Sequence, residues 1–132
     1  MKLRKGLVAS ITCFSFLCSS CAANIARTGY QIEDKEINTE DCQNTIIVRN
    51  LAYDSDLVDI LGSVKASDTG FSVKCSEDYV INNFKNDACV LNAELINITE
   101  EKQPDFWSSC YRAKAEFLKV KDRELLSIIG KE

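Results

Sequence analysis

Ser109-Cys110-Tyr111-Arg112-Ala113-Lys114-Ala115-Glu116-Phe117-Leu118-Lys119-Val120 alternates apolar and charged side chains over most of its length. At period two, Tyr111, Ala113, Ala115 and Phe117 fall on one side, and Arg112, Lys114 and Glu116 on the other. A strand reads this way when one face is buried and the other is wet, the usual condition of an antiparallel sheet. It is the longest strand the chain predicts, and the rest of the domain must supply its neighbours and a cover for the apolar face.

Residues 95–99, Leu-Ile-Asn-Ile-Thr, form the preceding strand, joined to it by a polar loop that carries Pro104, the only proline. Upstream of that, a helix follows Cys75. Ser76 suits the N-cap, and Glu77 and Asp78 suit the positive end of the helix dipole. Val80, Ile81, Phe84, Ala88 and Leu91 fall on one stripe at helical spacing, Cys89 lies on its edge, and Asn92-Ala93 closes the helix. Residues 58–66 read as a strand with Val58, Ile60, Val64 and Ala66 on one face and Gly62 in the same row. The missing side chain at Gly62 predicts a close neighbour there. Thr45-Ile46-Ile47-Val48-Arg49 is a short β-branched strand, and Asp54-Ser55-Asp56 and Ser67-Asp68-Thr69-Gly70 are turns. The expected fold is therefore α+β: a small β-β-α-β-β domain over residues 44–120, with one antiparallel or mixed sheet, one main helix and two disulfides. Residues 121–132 carry Leu125, Leu126, Ile128 and Ile129 and read as a short docking helix, a frayed end or a partner contact.

The first twenty residues have a different character. Lys2, Arg4 and Lys5 precede an uncharged apolar stretch, residues 6–17, followed by small residues. This is the layout of an export signal, and the apolar run is shorter than the roughly 20 residues a bilayer span needs. Leu17-Cys18-Ser19-Ser20-Cys21 resembles a lipobox, at which a bacterial lipoprotein signal peptidase cuts before a diacylglycerol-bearing cysteine, here Cys21. Several acyl chains on Cys21 would anchor the chain to a membrane, at about 0.8 kcal/mol per buried methylene. With Ala22 next in the chain, that resemblance implies sorting to the outer membrane. The competing reading cuts after Ala23 at an ordinary signal-peptidase site and frees a soluble periplasmic or secreted protein. On the first reading residues 1–20 are signal, and residues 21–43 are an acylated N-terminus and a polar, flexible tether. An extra edge strand at residues 29–32 is the alternative within that tether.

All 20 acidic residues lie beyond Cys21, whereas three of the 16 basic ones precede it, so the chain from Cys21 onward carries 13 positive against 20 negative charges, a net of −7. Nucleic acid is not an expected partner of so acidic a domain. Of the seven cysteines, Cys42, Cys75, Cys89 and Cys110 lie within this part besides Cys21. An even number in an exported domain reads as two disulfides, with three possible connectivities. Their spacings fit no common zinc pattern, and the chain has no histidine, so no metal or other cofactor is expected. The missing histidine also removes the commonest general base. Ser108-Ser109 and the neighbouring Glu100 and Glu101 lack a supporting base or phosphate loop, and no enzymatic activity is expected. Trp107 is expected to cap the sheet edge and pack on the core, the alternative being an exposed contact shared with Phe106.

From Leu61-Gly62-Ser63-Val64, through Cys75 and the helix, to Asn92-Ala93-Glu94-Leu95 and Cys110-Tyr111-Arg112, the chain resembles the RcsF family, lipoprotein sensors of the Rcs envelope-stress system. The resemblance covers about residues 45–120. It implies a small disulfide-crossed domain held to the outer membrane by a long N-terminal linker. It also implies a signalling or interaction role with an envelope protein partner. Cys75 and Cys110 match one family disulfide. The other family pair would fall near Thr99 and Glu116, which leaves Cys42 and Cys89 to pair with each other.

Overall fold

Seven elements follow one another in the computed structural model: β1 (Asn24–Thr28), β2 (Ile46–Arg49), β3 (Val58–Ser67), α1 (Glu77–Leu91), β4 (Leu95–Lys102), β5 (Arg112–Val120) and α2 (Arg123–Ile129). The structure describes residues 22–33, 42, 44–70 and 73–129. The expected export signal at 1–20, Cys21 and the middle of the expected tether lie outside the described residues.

The five strands form one mixed sheet in the order β1-β3-β5-β4-β2. β5 is the central strand, antiparallel to β3 on one side and to β4 on the other. β1 adds antiparallel to β3 and β2 adds parallel to β4. The fold is therefore α+β as expected, with one main helix. The chain passes from β3 through α1 to β4, and β5 fills the gap between them.

The helix covers the face predicted to be apolar. Val80, Phe84 and Ala88 meet Ile96, Ile98, Tyr111, Ala113, Ala115 and Phe117 in one buried cluster. Ser76 caps the start, its hydroxyl accepting from the Tyr79 N–H at 3.2 Å. At the end Asn92 turns left-handed (φ 54°), and the Ala93 N–H reaches the Ala88 carbonyl at 2.8 Å. Asparagine tolerates that conformation better than most residues, and the bond satisfies a terminal helix carbonyl.

Ile60 pairs with Leu118 but Gly62 pairs with Phe117, so Leu61 is an extra residue in β3. This bulge corrects the single face expected for the strand. A one-residue insertion switches the side of every later side chain. Gly62, Val64 and Ala66 face the helix, whereas Val58 and Ile60 face away. Val58 joins Leu95, Leu118 and Val120 in a second buried cluster, on which Leu125, Leu126 and Ile129 of α2 pack. The tail is thus a docked helix. At Gly62 a side chain would run into the Tyr30 ring and lie 3.1 Å from the Thr28 carbonyl oxygen. Tyr30 fills the gap left in that row, edge-on to Phe117 with ring centroids 5.6 Å apart.

Two disulfides join described residues, Cys75–Cys110 and Cys42–Cys89, with Cα separations of 5.0 and 5.3 Å. Cys75–Cys110 ties the approach to α1 to the approach to β5. Cys42–Cys89 ties the segment before β2 to the last turn of α1.

β1 departs most from the sequence reading, because it lies where the start of a tether was expected. Only Ile25 and Arg27 turn toward the helix side, so its composition looks like linker. Arg27 is held there by Asp87 of α1, which is 2% exposed although charged. Asp87 accepts from Arg27 Nε at 2.7 Å and Nη2 at 3.1 Å, and from the Tyr30 hydroxyl at 2.5 Å. The bonds to Asp87 hold the Arg27 guanidinium still more firmly protonated. Burial, then the bond to Asp87, pushes the Tyr30 phenol well above its usual range.

Candidate functional site

β1 begins where β3 ends, Asn24 pairing with Ser67, and β5 begins where β4 ends, Arg112 pairing with Lys102. One end of the sheet therefore gathers the start of β1, the loop from β3 to α1 and the loop from β4 to β5. Three connections fasten them. Ala22 bridges to Lys74, and the Ala23 N–H donates to the Lys74 carbonyl at 3.0 Å. The Tyr111 N–H donates to the Cys75 carbonyl at 3.0 Å, beside the Cys75–Cys110 disulfide. The Ser108 hydroxyl donates to the Asp68 carboxylate.

The β4–β5 loop is organised by one carboxylate. Asp105 Oδ1 accepts from the Trp107 and Ser108 N–H groups, each at 2.9 Å, and the Asp105 N–H donates to the Ser108 carbonyl at 2.8 Å. Asp105 Oδ2 meets Arg112 Nη2 at 3.0 Å and Lys102 Nζ at 3.2 Å. These two cations, Arg112 foremost, hold the Asp105 carboxyl down at about 2. The tight turn projects Phe106 and Trp107 into solvent, 93% and 87% exposed, with their rings edge to face at 5.5 Å. This corrects the expectation that Trp107 packs on the core: its backbone is bound into the turn and its ring is left outside. Val73, on the adjoining loop, is also exposed. Two large aromatic rings on a pinned loop lose little conformational freedom on contact, which suits them to binding an apolar or interfacial surface.

The depressed Asp105 value fixes the direction of a pH effect. A carboxylate with a folded pKa below its unfolded value of 3.8 contributes order that is complete above 3.8 and lost as pH falls toward about 2. Emission from Trp107, the single tryptophan of the chain, should therefore change with a midpoint near 2. Asp105→Asn should abolish that step, and a step unchanged in this variant would contradict the role given to Asp105.

Other residues singled out in the sequence do not converge here. Glu100 pairs across the sheet with Lys114 and Glu101 with Ala113, placing the two carboxylates on opposite faces. Glu101 accepts from the Tyr111 hydroxyl at 2.7 Å and from Arg49 Nε at 3.1 Å, while Glu100 meets Lys114 at 3.5 Å. Cys42 and Cys89 lie at the other end of α1, and Cys21 is outside the described residues.

The sequence reading missed Asp87 and Asp105. Asp87 left a signal: it falls on the apolar stripe, three residues after Phe84 and seven after Val80, where a charge requires a partner. Asp105 left almost none, since Pro-Asp is common turn chemistry.

Comparison of the chain with protein-family models, curated proteins and solved structures returned no match.

Proposed function

We propose that this chain is an exported lipoprotein, acylated at Cys21, whose disulfide-bonded domain is a non-catalytic interaction or stress-sensing module of the bacterial outer membrane. The basic and apolar start of the chain, the lipobox-like Leu17-Cys18-Ser19-Ser20-Cys21 and two disulfides suited to an oxidising compartment support it. The observation that carries it is the place of Ala22 and Ala23. Ala23 is 8% exposed within the core cluster, and both residues bond along Lys74. Cleavage before Cys21 keeps these contacts in the mature protein. Cleavage after Ala23, which would give the soluble alternative, would discard a buried residue and open the edge of the domain.

The resemblance to the RcsF family supports the sensing role through its element order and the Cys75–Cys110 pair. The family's long linker is not matched at residues 24–28, which form β1. A Cys21→Ala variant tests the anchor. Expressed with its own signal, it should lose acyl label and leave the membrane fraction of properly cut protein. A variant still processed and membrane-bound would overturn the assignment of Cys21.

A further inference from the structure

We propose that the end of the sheet carrying Phe106 and Trp107 lies against the lipid bilayer, so that the domain rests on the membrane that anchors it. This rests on acylation of Cys21. The first argument is covalent. Ala22 is fixed to Lys74, and the next Cα toward the N-terminus is about 3.8 Å away, so acyl chains on Cys21 leave the domain with no spacer. They leave from the end at which the β3–α1 and β4–β5 loops meet.

The second argument is chemical. Phe106, Trp107 and Val73 are large apolar side chains left exposed on those two loops. Aromatic rings, tryptophan above all, favour the headgroup level of a bilayer, where an apolar body and a polar N–H are both satisfied. The loop bearing them is joined to the N-terminal attachment through Lys74, Cys75 and the Cys75–Cys110 bond. The third argument is charge. Against the overall acidity, Lys65, Lys102, Arg112 and Lys114 share the face away from α1 in this same half of the sheet. Asp105 and Glu100 neutralise part of that charge. Cations flanking interfacial aromatics are compatible with headgroup phosphates.

Trp107 is the only tryptophan in the chain, so wild-type protein carries its own probe. The experiment uses full-length acylated protein in vesicles of phosphatidylcholine and phosphatidylglycerol whose acyl chains are brominated near the headgroup. The expected result is a blue-shifted Trp107 emission with loss of intensity to the brominated lipid and reduced quenching by aqueous iodide. In the same vesicles without bromine, Trp107 should keep its intensity and its protection from iodide. Acylated protein that floats with the vesicles while Trp107 keeps its aqueous emission overturns this inference and leaves the anchor standing. That result would turn the aromatic pair toward a protein partner. Protein recovered from membranes without acyl chains overturns both.

Discussion

Loss of the Cys75–Cys110 disulfide should lower the stability of the domain by about 3–4 kcal/mol on the loop-entropy model. The bond closes a loop of 35 residues that contains α1 and β4, so in the unfolded chain it restrains a large part of the domain. It also lies where the helix layer joins the sheet, with Cys75 and Cys110 both almost fully buried. A domain of this size has about 5–15 kcal/mol in total, so the loss is a large share of it. A Cys75→Ser, Cys110→Ser double variant should melt roughly 15 °C lower, at the shift of about 4 °C per kcal/mol expected for 100 residues. Thermal unfolding followed by circular dichroism, with and without a strong reductant, checks this. An unchanged Tm in reductant would contradict it. The loop closed by Cys42–Cys89 spans 47 residues and overlaps the first, so reduction of both should cost less than twice the single effect.

Asp87→Ala should destabilise the domain by about 3 kcal/mol, because breaking a buried pair strands its partners. The side chain of Arg27 is 31% exposed and can turn partly to water, which keeps the effect at the lower end of the range for buried pairs. Tyr30 loses its acceptor as well and is freed from the gap above Gly62. The loss should fall on β1 first. Urea unfolding gives the total, and amide hydrogen exchange at Ile25 and Arg27 locates it. Asp87→Asn, which keeps an acceptor oxygen, should restore part of the protection. Undiminished protection of β1 in Asp87→Ala would remove the ion pair from the account of how this strand is docked. That docking bears on the proposed anchoring, because a released β1 would add a flexible stretch between Cys21 and the sheet.

The fold was legible where burial imposes a period. The alternation of β5 and the stripe Val80, Phe84, Ala88 mark surfaces that must meet, and they do meet. Gly62 announced a close neighbour, although not that it would be Tyr30. What stayed hidden depends on pairwise chemistry between distant residues. β1 is an edge strand whose inward Arg27 is matched by Asp87, 60 residues away. The bulge at Leu61, marked in the sequence by nothing but the adjacent Gly62, moves Val58 and Ile60 to the far face. Trp107 neither caps the sheet edge nor packs on the core as expected. Its position instead follows from Asp105, which binds the backbone of the turn and leaves the ring no core to enter.

The most direct test of the lipoprotein assignment is intact mass with non-reducing peptide mapping on protein purified from membranes. The expected result is an N-terminal Cys21 carrying acyl mass, followed by Ala22, with Cys75–Cys110 and Cys42–Cys89 linked. An unmodified chain beginning at Asn24 would contradict it: the anchor would be gone, and with it the reason for the aromatic end to face a membrane.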